Sequence, residues 1–195
     1  LAGLIRENGC RLSTGFVGTP YLCPALSDHG FTEKAYGLLL NEEYPGWLYE
    51  VKMGATTVWE RWNSVLPDGS VSGTGMNSLN HYAYGAVSEW IYRSVCGIAP
   101  DENTAGFKKA VLAPCPDERF QWVKGEYASA SGLYRSGWEF EGDHILYEAE
   151  IPFDCTAEFL VPEGMAVKSV NGTPAEEREK LSLKKGVHRL ILEKV

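Results

Sequence analysis

The sequence predicts a helical region up to about residue 100 and an antiparallel β-sandwich over 101–195. In the first half, Leu79, Tyr82, Ala83, Ala86, Val87, Trp90, Ile91 and Ser94 recur at helical spacing. After Pro100-Asp101-Glu102-Asn103 the pattern changes to short runs with apolar residues two apart, as Trp138 with Phe140 and Leu190 with Leu192. Hairpin-type connectors such as Glu141-Gly142-Asp143, Asn171-Gly172 and Lys184-Lys185-Gly186 separate those runs.

The chain opens on Leu1-Ala2-Gly3-Leu4-Ile5, the back half of an amphipathic helix stopped at Asn8-Gly9. A loop of small residues follows over Leu12–Pro20. Pro24 to His29 predicts a short apolar helix ended by Gly30, and Thr32–Leu40 a second with Thr32 as N-cap. Tyr44-Pro45-Gly46-Trp47 is a turn, because Pro and Gly together block a helix. The longest helix is expected from Asn77-Ser78 to Gly97, after an irregular loop over Asn63–Gly75.

Eight strands are expected in the second half. They are Phe107–Pro114, Phe120–Tyr127, Gly132–Glu141, His144–Ile151, Thr156–Val161, Val167–Val170, Lys180–Leu183 and Val187–Leu192. The helices before them are few and apolar, and would bury their faces better against further helical partners. With no Met and no charged region at the start, the chain is expected to be a piece of a longer protein.

A net charge of −8 and the lack of a basic run argue against nucleic acid as a partner. No apolar run approaches the roughly 20 residues of a membrane span. Cys10, Cys23, Cys96, Cys115 and Cys155 are scattered and odd in number, so free thiols are expected and a zinc site is not. Those thiols favour a cytoplasmic compartment, with periplasm or secretion as the alternatives. No cofactor or metal is expected.

The segment Gly54-Ala55-Thr56-Thr57-Val58-Trp59-Glu60-Arg61-Trp62 holds one carboxylate between two indoles, and Asn80-His81 follows about twenty residues on. Aromatic faces for C–H-rich sugar rings beside a proton-handling carboxylate are the residue mix of a sugar-processing pocket. Glu60 is the candidate base. Trp47, Trp59 and Trp62 are candidate stacking residues, and Asn80 and His81 candidate sugar contacts at a helix N-terminus. The competing reading of Glu60 is a capping box, Thr57-Val58-Trp59-Glu60, with its carboxylate turned back to the Thr57 N–H. Trp47 serves equally as a staple, and His81 as a packed residue. Thr14, Thr19 and Tyr21 border a loop that could approach a ligand or simply turn a corner.

Four strings occur in order: Ser13-Thr14-Gly15-Phe16-Val17-Gly18-Thr19-Pro20, Tyr44-Pro45-Gly46-Trp47-Leu48-Tyr49, the Gly54–Trp62 segment, and Asn77-Ser78-Leu79-Asn80-His81-Tyr82-Ala83-Tyr84-Gly85. Together they resemble bacterial α-L-rhamnosidases of the glycoside hydrolase family 78 type. The resemblance implies the last helices of an (α/α)6 toroid followed by the family's C-terminal β-sandwich. It implies hydrolysis of terminal α-L-rhamnosyl groups with inversion, Glu60 as the general base and His81 at the sugar of the −1 subsite. It also places the general acid in an earlier acidic stretch that has no counterpart in this sequence. Inversion needs two carboxyl groups about 6.5–9.5 Å apart. Glu43, Glu50 and Glu89 lie in no matching motif, so the chain alone is expected not to hydrolyse rhamnosides. The partners expected are a rhamnose-containing glycoside and the N-terminal remainder of the same polypeptide. The alternatives are a different (α/α)6 glycosidase or lyase, or a non-catalytic carbohydrate-binding or structural module. The module reading would be favoured by Trp122, Tyr134 and Trp138 lining a sandwich face.

Overall fold

The computed structural model describes residues 1–73, 75–176 and 178–195. Thr74, inside the loop expected over 63–75, lies outside the described residues. The chain forms two compact units, Leu1–Trp90 and Ile91–Val195.

The first unit is helical. Helix α1 (Ala2–Glu7) ends where Gly9 takes φ +67°, with Gly9 N–H bonded to Arg6 O and Cys10 N–H to Ile5 O. This is the Schellman stop expected at Asn8-Gly9. Helix α2 (Thr19–Ser27) begins five residues before the expected Pro24. Thr19 starts it by bonding Gly15 O with both its N–H and its hydroxyl, and Pro20 lies in the first turn, where a missing N–H is harmless. Helix α3 (Thr32–Leu39) forms as expected, but Phe31 occupies the N-cap and no side chain caps it.

Helix α4 (Trp47–Lys52) was hidden by the Pro-Gly turn before it, and at six residues it is too short for a periodic signal. Its N-cap, Gly46, has room for no side chain: a Cβ there would stand 2.7 Å from Asn41 O. The core of the unit joins Leu22 and Leu26 of α2 to Tyr36 and Leu38 of α3 and to Trp90, all buried. Trp90 meets Tyr36 edge-on at 5.2 Å and donates its indole N–H to Ser27 Oγ at 2.8 Å.

The long helix expected from Asn77 does not begin there. Helical turns start only at Ala83–Ala86 (3-10), continue as α5 (Val87–Trp90), and in the second unit widen to a π turn over Ile91–Val95. Ser78, Leu79 and His81 instead spend backbone groups on Thr57, Val58 and Glu60, which a helix would forbid. His81 and Asn80 therefore sit in an extended segment, not in a first helical turn.

The second unit contains eight strands among the described residues: β1 (Ile98–Pro100), β2 (Lys109–Leu112), β3 (Trp122–Ser129), β4 (Gly132–Glu141), β5 (His144–Leu160), β6 (Met165–Val170), β7 (Thr173–Pro174) and β8 (Lys180–Lys194). They pair in the order β1-β2-β5-β8-β6-β7, and β3 and β4 join the same sheet through β5. All pairs are antiparallel except β2 with β5, so the expected all-antiparallel arrangement needs that one correction.

Two pairs of expected strands are each a single bent strand. His144–Ile151 and Thr156–Val161 are the arms of β5, whose register with β8 shifts between Ile151 and Thr156. Asp154 takes φ +61° at that corner. Lys184-Lys185-Gly186, expected to be a hairpin connector, is the facing bend of β8. Tyr147 and Phe159 show the result. Twelve residues apart, they would be about 40 Å apart in a straight strand, yet their rings lie 4.6 Å apart. The sheet folds over itself, and Tyr134, Trp138, Tyr147, Phe159, Leu190 and Leu192 fill the space between.

Candidate active site

Helix α4 sets up the site by the way it ends. Gly54 takes φ +86°, Gly54 N–H bonds Val51 O, and Ala55 N–H bonds Glu50 O at 3.0 Å. This second Schellman stop explains the glycine that opens the Gly-Ala-Thr-Thr string. The chain then runs extended, and no capping box forms: residues 57–60 are not helical, and the Thr57 hydroxyl bonds Leu79 O.

The segments 58–60 and 78–81 run antiparallel. His81 N–H donates to Val58 O at 2.8 Å, and Glu60 N–H donates to Ser78 O at 2.9 Å. Glu60 Oε2 accepts the Ser78 N–H at 2.7 Å. This short ladder joins the segment that carries Glu60 to the segment that carries His81, about twenty residues on in the sequence. A charge-assisted bond to one oxygen fixes the carboxylate's orientation. Glu60 remains partly exposed.

Ala83 N–H donates to His81 Nδ1 at 3.3 Å. The neutral ring therefore carries its proton on Nε2, a donor suited to a hydroxyl oxygen. The ring stacks on Phe16 (centroids 4.9 Å apart, planes 14°) and on Tyr82 (5.1 Å, 16°). Asn80 is exposed, its N–H held by Ser78 Oγ at 3.1 Å. Thr57, Val58, Asn80, His81, Tyr82 and Gly85 line an open hollow of about 420 Å³. Glu60 stands two residues along the ladder from Val58.

The three tryptophans occupy a different position from the one expected. Trp47, Trp59 and Trp62 are all buried and offer no open face. Trp62 stacks on Tyr84 at 3.8 Å, Trp47 meets Trp62 edge-on at 5.4 Å, and their indole N–H groups donate to Thr14 O and Tyr84 O, each at 2.9 Å. They form the wall behind the ladder. The exposed aromatics of the site are Phe16 and Tyr82, which the sequence reading passed over. Their signal was adjacency, Tyr82 beside His81 and Phe16 inside the first string. Each of the four strings contributes to one packed assembly: Thr14 and Phe16, Trp47, Trp59 and Trp62, and His81 with Tyr84.

Among the other carboxylates, Glu43 is exposed and paired with Arg11. Glu50 is 3% exposed, and its Oε2 accepts the Trp59 N–H at 3.2 Å. Burial pushes the Glu50 carboxyl up to about 7, and the Trp59 bond pulls the other way. Of the three aromatics that would line a sugar-binding sandwich face, Trp122 is exposed but the other two turn inward. Tyr134 and Trp138 are buried, and their polar atoms donate to Phe107 O and Val95 O.

Residues 1–95 match the family model of the bacterial α-L-rhamnosidase six-hairpin glycosidase domain, and residues 97–176 that of the bacterial α-L-rhamnosidase C-terminal domain. The chain belongs to the bacterial α-L-rhamnosidase family. It is 41% identical over 162 residues to an α-L-rhamnosidase of Streptomyces avermitilis, covering 83% of this chain and 16% of that one. It is 37% identical over 193 residues to one of an Alteromonas species, covering 98% and 21%. The crystal structure of the S. avermitilis α-L-rhamnosidase complexed with L-rhamnose superposes with a TM-score of 0.85 at 36% identity, over 97% of this chain and 19% of that one. The native Aspergillus terreus enzyme gives 0.85 at 31% identity. The chain thus spans about a fifth of the length of these α-L-rhamnosidases.

Proposed function

We propose that this chain supplies the general-base half of an inverting α-L-rhamnosidase site and works with the N-terminal remainder of a longer polypeptide. The observation that carries the reading is the ladder between 58–60 and 78–81, which fixes Glu60 by one oxygen and joins its segment to that of His81, a histidine lining an open hollow with Nδ1 already taken. In this reading Glu60 takes a proton from the water that attacks the anomeric carbon. His81 donates to a sugar hydroxyl, and Asn80 offers a further polar contact at the rim. Phe16 and Tyr82 present apolar faces that suit the C–H surface of a 6-deoxy sugar.

Protonation of the departing oxygen is assigned to an acid in the remainder of the longer polypeptide. Glu43 is engaged by Arg11 at the surface, and Glu50 is sealed from solvent. A rhamnose-containing glycoside is the proposed substrate.

The test is a chimera in which this chain replaces the matching C-terminal fifth of the S. avermitilis enzyme. Turnover of p-nitrophenyl α-L-rhamnoside is expected from the chimera and not from the 195-residue chain. Efficient turnover by the chain alone would overturn the division of labour.

A further inference from the structure

Glu50 has a role that the proposed reaction does not use. The residue is 3% exposed on a short helix, its Oε2 accepts one backbone N–H, and its Oε1 has no hydrogen-bond partner. A buried carboxyl with an unused oxygen is an unfavourable way to fill space, because an apolar side chain of similar size would carry no desolvation penalty. What a leucine could not do is accept the Trp59 N–H.

The main chain of the same residue closes the other end of the segment. Glu50 O accepts the Ala55 N–H at 3.0 Å, and Glu50 Oε2 accepts the Trp59 N–H at 3.2 Å. One residue therefore holds positions 55 and 59, and the ladder begins at Val58. Glu60, the next residue after Trp59, takes its register from that anchor.

We infer that Glu50 is a positioning residue: it holds the 55–59 segment at both ends and thereby sets the ladder that aims Glu60 and His81. The inference rests on the reading of Glu60 as the base. Burial, and after it the Glu50 charge, holds the Tyr84 hydroxyl above its usual range. The raised Glu50 carboxyl reports the same dry surroundings.

The experiment is amide hydrogen exchange, read by NMR on the 195-residue chain, in wild type, Glu50→Gln and Glu50→Leu. Glutamine keeps an acceptor oxygen, so exchange at Trp59, Ser78 and His81 should stay within about threefold of wild type. Leucine removes it, and all three amides should exchange at least about tenfold faster, while Asp28 and Leu40, bonded within α2 and α3, stay unchanged. Unchanged Ser78 and His81 amides in Glu50→Leu would overturn the inference, as would equal acceleration at Asp28 and Leu40.

Should Glu50→Leu fail to fold, the wild-type chain decides. The Trp59 amide shift should follow the Glu50 carboxyl through its titration. Tyr84, on whose hydroxyl the Glu50 charge acts, stays neutral there, because burial raises that hydroxyl. A flat Trp59 resonance would overturn the inference. In the chimera, Glu50→Leu should lower kcat about tenfold with KM nearly unchanged, and Glu50→Gln should restore it. Full activity of Glu60→Gln in that chimera would remove the base assignment, and the exchange data would still decide whether Glu50 holds the ladder.

Discussion

At the residue scale, burial and partner separate the two glutamates ten positions apart. Glu60 is partly exposed and tied to a backbone N–H. Glu50 is sealed, and its carboxyl rises from an ordinary 4.5 to about 7. A carboxyl raised on folding favours the protonated native state, so its contribution is full below the unfolded value and fades as pH climbs through about 7. The first unit should therefore lose on the order of 3 kcal/mol between pH 4.5 and pH 8. Glu50→Gln should flatten that loss, as read by denaturant midpoints at the two pH values. The tryptophans give a second contrast. Trp62→Ala should cost about 3–5 kcal/mol, whereas Tyr82→Ala, at a position 87% exposed, should stay within about 0.5 kcal/mol and act on sugar binding instead. Thermal melts of both variants check this. Glu60 and His81 stand out in sequence because their strings are distinctive. The inward turn of Trp47, Trp59 and Trp62 was not legible, since an indole fills a core or a sugar face equally well. Glu50 was illegible because only the fold buries it.

At the element scale, the sequence reading failed where backbone pairing overrode local pattern. Residues 77–82 carry helical spacing, yet backbone groups of Ser78, Leu79 and His81 are taken by Thr57, Val58 and Glu60, and Gly85 weakens what helix remains. The β-strands were legible through alternation, and β4 forms over Gly132–Glu141 as expected. Pro152-Phe153-Asp154 in β5 and Lys184-Lys185-Gly186 in β8 interrupt that alternation and read as ends. They are corners, because a long strand must bend to serve both layers. The close of the π turn offers a test. Gly97 takes φ +75°, and a Cβ there would stand 2.3 Å from Pro114 N, whereas Gly142 at φ +62° has open space. Gly142→Ala should cost about 1 kcal/mol from backbone strain alone. Gly97→Ala should cost at least twice that, measured by the melt of Trp138 fluorescence.

At the scale of the whole molecule, the first unit leaves Leu4, Val17, Tyr21 and Val51 exposed, an apolar surface of the kind that partners cover. The relatives are about five times as long as this chain. Both facts support the proposal that the remainder of the toroid and the acid come from elsewhere in a longer polypeptide. The succession of helical and sheet regions was legible from periodicity, but its pairing with a missing half rested on the four strings.

The central claim is that Glu60 activates the attacking water. Replacing Glu60 by alanine in the chimera removes the base and leaves room for a small anion. Turnover of p-nitrophenyl α-L-rhamnoside should fall by about 10²–10⁴-fold, and azide should restore it with formation of the β-rhamnosyl azide. An alanine variant that keeps full activity, or yields an α-azide, would contradict the account.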